Sequence, residues 1–318
     1  MINFEKIATM IMEKNDKINS KNSVDLYLSK IKKIIKDLDI KPKNLDFLDD
    51  ISNITKTFED KSISTRKNYL WSIFTVLKYG GGKETTQDEY LKLFNTIADE
   101  VNIEKNNGLK SKKQEANWVE LKELRNILRT HEKHFKLGLK NDKLTPEGFN
   151  HLRQLMTGSL YIGDIANPPR RLADYAKMKI ITRKDYDLLT EDDKANDNFL
   201  IKDKTKKEFS FGNYKTESKY GTLLIPVGKK LNLILNKYLK YHTSEFLLTT
   251  RTGKPLTSLE LGNLLNKVFS SSGKKISVSM LRHIFLSETF GDVAKKQKAI
   301  ASKMSHSVGT AINEYVVE

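Results

Sequence analysis

Apolar residues recur every three or four positions through the first hundred residues, the spacing of amphipathic helices. The repeat predicts helices over residues 1–14, 24–38, 61–79 and 87–101. Ser62 or Ser64 is placed to cap the third of these helices, and the glycines at 80–82 end it. Residues 1–104 are therefore predicted to form a small all-helical bundle.

The apolar repeat stops between residues 105 and 115, where the sequence KNNGLKSKKQE is basic and polar. Such a stretch predicts a linker between two domains. Beyond the linker, Asn117 and Glu120 have the spacing of a capping pair, and Thr145-Pro146 is a second helix start. Residues 116–318 are therefore predicted to form the second domain.

This second domain combines helical and strand-like patterns. Short β-branched and aromatic runs predict strands near 199–201, 208–211 and 222–226, and helical spacing returns at 229–241, 258–269 and 278–290, with a last helical region through Tyr315. The predicted fold class is mainly α with a small antiparallel β-sheet, as a helical N-terminal domain followed by an α+β domain.

The charge of the chain indicates the kind of partner that it binds. The chain has 318 residues, with 56 Lys and Arg against 40 Asp and Glu and a net charge of +16. An excess of this size favours a polyanion, most simply nucleic acid. Absence of cysteine excludes disulfides and thiolate metal sites and fits a reducing compartment. No apolar run reaches the ~18 residues of a membrane span, so we expect an intracellular protein.

One stretch concentrates candidate chemistry, the sequence NPPRRLADYAKM at residues 167–178. Two prolines interrupt the preceding helix and place Arg170 and Arg171 at a new helix start. Guanidinium groups are always charged, and their planar array of donors fits phosphate oxygens. Asp174 follows Arg171 by three residues, one helical turn, so the sequence predicts that Asp174 orients Arg171.

Three further fragments follow in a fixed order. Tyr214-Lys215-Thr216 precedes the last predicted strand, so Lys215 lies in a hairpin connection. Arg282 belongs to the run Ser279-Met280-Leu281-Arg282-His283. His306 stands in Met304-Ser305-His306-Ser307, and Tyr315 follows nine residues later.

In this order and spacing, the fragments resemble the tyrosine recombinases, the phage-integrase family of DNA strand-exchange enzymes. The resemblance covers roughly residues 116–318 by motif and the N-terminal part by layout only. It implies an N-terminal core-binding domain and a C-terminal catalytic domain. It also implies that Tyr315 is the nucleophile that forms a 3′-phosphotyrosine, while Arg171, Arg282 and His306 contact the scissile phosphate and Lys215 protonates the leaving 5′-oxygen. The implied reaction needs no metal, cofactor or ATP.

The sequence departs from the family pattern at two positions. Ser279 stands three residues before Arg282, where the family usually has histidine, so its catalytic role is uncertain; a hydroxyl donates a hydrogen bond but cannot act as an imidazole does. His283 diverges from Arg282 by about 100° on a helix and is not a direct substitute. Ser305 occupies a position where glycine is common, which is the smaller change.

The implied partner is double-stranded DNA. The protein is expected to form a homotetramer on the recombination synapse and to be a monomer or dimer when it is free. We expect basic residues of the N-terminal domain and the linker to contact phosphates through charge and counterion release: Arg66, Lys67, Lys110, Lys112 and Lys113. The implied location is with DNA, either in the cytoplasm of a prokaryotic host or in the nucleus or viral factory of a large DNA virus.

Three alternatives remain open. A type IB topoisomerase or telomere resolvase would use the same chemistry with a different outcome, and a non-catalytic relative would bind DNA without cutting it. A metal-dependent nuclease would need gathered carboxylates. The acids are scattered instead, and Glu191, Asp192 and Asp193 lie in a run that reads as a polar loop.

The ends of the chain carry one further expectation. Three residues follow Tyr315, too few for a helical turn that docks on a neighbouring protomer. If the chain is complete, the stripe of Phe4, Ile7 and Ile11 at the N-terminus is a candidate for that contact. The alternative is that this stripe packs on its own bundle.

Overall fold

The structure is a computed structural model that describes residues 2–15, 21–106, 108, 110–141, 143–162, 165–204, 206–250 and 252–315, without the side chains of 104–106 and 313–315. The chain forms two compact units, residues 1–110 and 111–318. Each unit has its own apolar core. No helix in the described part of the chain combines the length and apolar character needed to cross a membrane.

The first unit is all-helical. Its helices are α1 (Phe4–Lys14), α2 (Lys21–Asp37), α3 (Ile51–Lys56), α4 (Ile63–Gly80) and α5 (Glu84–Asn106), with a short 3-10 helix at Asp46–Asp49. Ser62 caps α4 by accepting a hydrogen bond from the amide of Thr65, and Gly81 ends the helix in the left-handed conformation that glycine adopts readily. The predicted helical bundle is confirmed.

The N-terminal stripe packs inside this unit. Helix α1 contacts α2 and α4, and Ile7 and Ile11 are buried in the core. Phe4 is half-buried against the same cluster. The hypothesis that this stripe is free to dock on a neighbouring protomer is wrong, because the apolar face is already covered by its own bundle.

The second unit is built around one helix. Its helices are α6 (Lys112–Asn117), α7 (Leu121–Leu137), α8 (Pro146–Ile162), α9 (Leu172–Tyr175), α10 (Arg183–Asp187), α11 (Glu191–Asn196), α12 (Glu217–Tyr220), α13 (Lys229–Tyr241), α14 (Ser258–Val268), α15 (Val278–Lys303) and α16 (Val308–Tyr315). Helix α8 is buried on nearly all sides and contacts α7, α13, α14 and α15. A helix without a polar face belongs at the centre of a unit.

A four-stranded sheet lies in the same unit, with strand order β3 (Lys179–Thr182), β4 (Asn198–Lys202), β5 (Lys207–Phe211) and β6 (Leu223–Pro226), after a two-residue hairpin of β1 (Leu139–Lys140) and β2 (Lys143–Leu144). The β4–β5 and β5–β6 pairs are antiparallel, as predicted. Strand β3, which the sequence analysis does not predict, pairs with β4 in parallel. The mainly helical fold with a small sheet is confirmed, and this sheet is mixed.

The boundary between the two units falls within residues 105–115, which also include the end of α5 and the start of α6, opened by Ser111 and Gln114 with a reciprocal capping box. Two other local predictions are wrong for identifiable reasons. Asn117 and Glu120 form no capping pair, since Glu120 itself precedes α7 and its side chain makes no cap. The acids at 191–193 are the first turn of α11, not a loop, because Thr190 and Asp193 cap that helix.

Candidate functional site

Helix α9 fixes the arginine stretch to the core. It spans one turn, and its Tyr175 is buried with ring edges against Phe209 and Phe211 at centroid distances of 5.5 and 5.7 Å. Arg171 is the residue before this helix and has extended backbone angles of φ −72° and ψ 158°. Arg171 therefore lies outside the helical turn that the sequence analysis assigns to it.

Asp174 pairs with Arg170, contrary to the prediction. The Nε atom of Arg170 donates to Oδ2 of Asp174 at 2.8 Å, and both side chains are largely withdrawn from solvent. The predicted pairing of Asp174 with Arg171 is wrong, because helical one-turn spacing applies only when both residues are helical. Because the backbone at Arg171 is extended, the side chain that reaches the Asp174 carboxylate is that of Arg170.

Arg170 also stacks on two aromatic rings. Its Cζ atom lies 3.8 Å from the ring centroid of Phe211, at the end of β5, and 5.2 Å from that of Tyr214. A guanidinium over an aromatic face is stabilised by the ring quadrupole as well as by dispersion. Arg170 is therefore held by a carboxylate and two rings, which leaves it far less free than its neighbour.

Arg171 and Arg282 line one cleft. The cleft has a volume of about 430 Å³ and is also lined by Arg170, Asp174 and Tyr214, with Pro168, Pro169, Thr216, Tyr220, Leu223, Phe285 and Leu286 completing the wall. Both arginines are half-buried. Among the described residues, no carboxylate forms an ion pair with Arg171 or Arg282. Two guanidinium groups from distant segments thus line one cleft, and its carboxylate Asp174 is paired with Arg170 rather than with either of them, an arrangement suited to binding an anion.

Lys215 lies beside this cleft but is exposed. It belongs to the connection between β5 and β6, between Tyr214 and Thr216, which both line the cleft. The hydroxyl of Tyr214 donates to the carbonyl of Gly221 at 2.8 Å and closes this connection into a compact loop. Burial raises the pKa of the Tyr214 phenol, although the nearby Arg170 opposes that rise.

Two buried asparagines that the sequence analysis missed support the cleft. Asn198, at the start of β4, donates from Nδ2 to the carbonyls of Asp174 at 3.0 Å and Asn213 at 2.8 Å. Asn167 donates to the carbonyl of Pro226 and accepts from the amide of Gly228, which ties the proline pair to the end of β6. Their signal in the sequence is weak: one polar residue beside an apolar run in each case.

Arg282 comes from the second turn of α15, which Ser277 caps. Ser279 is exposed in the first turn of that helix and is not one of the cleft residues. Met280, Leu281, Ile284 and Phe285 are buried around Arg282. Packing therefore fixes the helix on which Arg282 is carried, while the polar Ser279 faces away from the core.

His306 follows the opposite end of α15. The amide of Ser305 donates to the carbonyl of Ser302, and the amide of His306 donates to that of Ala301, the paired bonds of a Schellman helix end. Ser305 has φ 57°, the left-handed conformation for which glycine is preferred at this position. Ser305 is therefore the left-handed residue that follows α15 and terminates it.

The structure separates His306 from the arginine cleft. Lys303 lies twenty-one residues beyond Arg282 on the continuous helix α15, a distance of about 32 Å at 1.5 Å per residue. Helix α16 follows and contacts α15. Its last residue is Tyr315, whose side chain lies outside the described part of the chain. The sequence pattern predicts that α15 ends near residue 290. The additional length of the observed helix accounts for the separation.

The basic residues proposed for DNA contact are placed as follows. Lys110, Lys112 and Lys113 are exposed. Arg66 and Lys67 are half-buried in α4, just past its first turn, with the Lys67 ammonium 5.3 Å from the ring centroid of Phe94. The Arg66 Nε atom is buried with no hydrogen-bond partner among the described residues.

No family model matches the sequence, and no curated protein matches it significantly. Two solved structures are similar over nearly the whole chain. XerA recombinase has 10% sequence identity and a TM-score of 0.34, covering 97% of this chain and 92% of its own. XerH site-specific recombinase, in a pre-cleavage complex with its difH substrate, has 11% identity and a TM-score of 0.39, covering 99% and 92%. Both TM-scores lie below 0.5, so the function of this chain is argued from its own residues.

Proposed function

We propose that the chain is a site-specific DNA recombinase or integrase that cleaves and rejoins strands through a 3′-phosphotyrosine at Tyr315. The observation that carries the proposal is the cleft that Arg171 and Arg282 both line, in which the carboxylate of Asp174 is paired with Arg170. A scissile phosphate has two non-bridging oxygens that these guanidinium groups can hold. Arginines aimed at developing charge stabilise the transition state more than the ground state.

The proposed reaction conserves phosphodiester energy. The Tyr315 oxygen attacks phosphorus, the bond from phosphorus to the 5′-oxygen breaks, and Lys215 gives its proton to that leaving oxygen. The tyrosine releases its phenolic proton to water as it attacks, and nearby cations favour this loss because a free phenol titrates near ~10. Attack of a 5′-hydroxyl on the phosphotyrosine reverses these steps and rejoins a strand without ATP.

His306 donates to the phosphate in this proposal, and Ser279 is left without an assigned step. With α15 straight, His306 lies too far from Arg282 to act on the same phosphate. The proposal therefore requires that the C-terminal part of α15 bends, or that it reaches the cleft of a second copy.

The remaining parts of the proposal concern DNA and assembly. The first unit would hold one face of the duplex, with Arg66 and Lys67 contacting phosphates. Lys110, Lys112 and Lys113 would contact further phosphates of the DNA. A net charge of +16 supports a polyanionic partner. Recombination would take place in a homotetramer, in the compartment that contains its DNA substrate.

Covalent trapping tests the proposal. The protein is incubated with supercoiled plasmid in the presence of a chelator, then denatured, and protein attached to a DNA 3′ end is measured. We expect an adduct that disappears in Tyr315→Phe. A type IB topoisomerase would form the adduct and relax the plasmid without exchanging strands. A metal-dependent nuclease would cut only when divalent ions are returned, and a non-catalytic relative would bind DNA without cutting it.

A further inference from the structure

Arg170 links helix α9, strand β5 and the loop that carries Lys215. Its Nε atom donates to Asp174 in α9, and its guanidinium stacks on Phe211 at the end of β5 and on Tyr214 in the β5–β6 connection. Tyr214 is the residue before Lys215. The position of the lysine-bearing loop therefore depends on contacts that Arg170 makes.

The loop is also attached at its start, where Tyr214 packs against the core and the Asn213 side chain donates to the carbonyl of Asn196. The Tyr214 hydroxyl bonds within the loop, to the carbonyl of Gly221. Asn198 holds the start of the loop by bonding both the amide and the carbonyl of Asn213. Beyond Asn213, Lys215, Ser218, Lys219 and Tyr220 are exposed. The ring of Tyr214 against the Arg170 guanidinium is thus the contact nearest to Lys215 that links the loop to α9.

We infer that Arg170 is a positioning residue for Lys215: its guanidinium, held by Asp174, clamps the loop through Tyr214 and so sets where the Lys215 ammonium lies relative to the arginine cleft. The inference rests on the proposed function. Arg171 and Arg282 would serve the phosphate, while Arg170 would serve the proton donor.

Hydrogen exchange tests the clamp without reference to catalysis. Arg170→Lys keeps a cation beside the buried Asp174 but loses the planar group that stacks. We expect the amides of residues 213–221 to exchange at least fivefold faster, with those of β4 and β5 unchanged. Tyr214→Leu, which leaves the Arg170–Asp174 pair intact, should give the same change and covers the case in which Arg170→Lys fails to fold.

Arg183→Lys is the matched control. Arg183 pairs with Glu208 and lies 5.7 Å from the ring centroid of Tyr186, so it has the same kinds of partner in the same unit. This variant should leave exchange at 213–221 as in the parent protein. Unchanged exchange at 213–221 in both Arg170→Lys and Tyr214→Leu would overturn the inference, as would an equal increase throughout the sheet.

Cleavage kinetics then connect the clamp to proton donation. The cleavage position is mapped on plasmid, and a duplex is made in which sulfur replaces the bridging 5′-oxygen there. A thiolate leaves readily, since thiols titrate near ~8.5, so it needs no general acid. We expect Arg170→Lys to cleave normal DNA at least tenfold more slowly than the parent protein, but to cleave the sulfur substrate within about threefold of the parent rate. Lys215→Ala should show the same pattern.

Arg282→Ala should remain slow with both substrates, because sulfur does not replace charge stabilisation at the phosphate. If Arg170→Lys is equally slow with both substrates, Arg170 acts on the phosphate and the positioning role is wrong. If the parent protein forms no adduct with either substrate, the proposed function fails, and the exchange result alone then decides whether Arg170 holds the loop.

Discussion

In the first two turns of α15, Met280, Leu281 and Ile284 are buried in the core and Arg282 faces the cleft. From Leu286 onward the same helix is largely exposed. Its large apolar side chains lie in solvent at 48–59% exposure: Leu286, Phe290, Val293, Ile300 and Met304. These residues follow one another at intervals of three, four or seven positions and form a stripe on one face.

The comparison separates what packing determines from what it leaves open. The arginine cleft is held by buried neighbours, so its geometry is present in the folded chain. The half of α15 that leads to His306 and Tyr315 has an apolar stripe that its own unit does not bury. We infer that the anion-binding part of the proposed site is preformed, while the part that supplies the nucleophile is completed by a movement or a partner.

The largest effect is expected in the preformed half. Arg282→Ala should lower the rate of adduct formation by about 10²–10³, the cost of removing one donor to a transition-state oxyanion, and should change DNA affinity little. Arg171→Ala should do the same. Adduct formation and filter binding measure the two quantities. Arg125→Ala, an exposed arginine on α7, serves as the control; loss in that variant would show that net charge, not the cleft, controls the rate.

The second prediction concerns the exposed half. Gly291 lies inside α15, and a Cβ added there meets no atom within 4 Å. Glycine weakens a helix interior by about 1 kcal/mol relative to alanine, so α15 should bend most easily at this point. Gly291→Ala should raise the unfolding free energy by about 1 kcal/mol and slow adduct formation about fivefold, because a straight helix is favoured by that energy.

Two comparisons check this prediction. Ala294→Gly, an exposed position one turn away, should lower stability without slowing the adduct. A mixture of the Arg282→Ala and Tyr315→Phe proteins distinguishes a bend within one chain from use of a second copy's tyrosine. We expect no recovery of adduct formation if each chain uses its own tyrosine. Recovery in the mixture would mean that the nucleophile enters the cleft of a second copy, and the bend at Gly291 would then be wrong.

The third prediction uses histidines in the packed body of the second unit. His131 on α7 and His151 on α8 have their Nδ1 atoms 3.0 Å apart, and Nε2 of His131 donates to the carbonyl of Val268. Burial lowers the pKa of both, and His131 adds to the effect at His151. Neutral His131 therefore accepts a hydrogen bond from His151.

Because the folded pKa values lie below the unfolded value of ~6.5, the unfolded chain binds more protons as pH falls through this range. The unfolding free energy should therefore decrease from about pH 6.5 downward and be fully retained above it. Denaturant titrations at several pH values measure this trend, and His131→Gln should flatten it. A stability that rises on acidification below pH 6.5 would contradict the packing assigned to this pair.

The smallest effect is expected where the exposed half ends. Ser305 adopts φ 57°, a conformation that costs a non-glycine residue roughly 1 kcal/mol. Ser305→Gly should raise the unfolding free energy by about 0.5–1 kcal/mol in denaturant titrations. Ser302→Gly, three residues earlier within the helix, should lower it by a similar amount. Equal losses in both variants would show that Ser305 is not the left-handed end of α15.

The sequence predicts elements best where start and stop signals are local. Helix α13 has its predicted bounds of Lys229 and Tyr241, and α8 begins at Pro146 as expected. The predicted end of α15 near residue 290 is wrong, since a single glycine and an aspartate did not interrupt the helix. Strand β3 was missed because its four residues are all half-buried and lack an apolar–polar alternation.

The candidate site divides in the same way. Motif order identifies Arg171 and Arg282, which the fold brings to one cleft across more than a hundred residues. The choice of partner for Asp174 could not be made from spacing, because it depends on whether α9 begins before or after Arg171. The supporting residues Asn167 and Asn198 bond to backbone atoms of remote segments, which no local pattern records.

The parallel pairing of β3 with β4 has a consequence for the order in which the sheet assembles. In β4 and β5, the paired residues Lys202 and Lys207 are five positions apart, whereas Lys179 of β3 pairs with Phe199 twenty positions away. Closing the longer loop costs more chain entropy before any contact offsets it. The β4–β5 hairpin should therefore form early in the folding transition state, and β3 should join late. Substitutions of the half-buried Ile180 and Ile181 in β3 would then speed unfolding and leave the folding rate nearly unchanged.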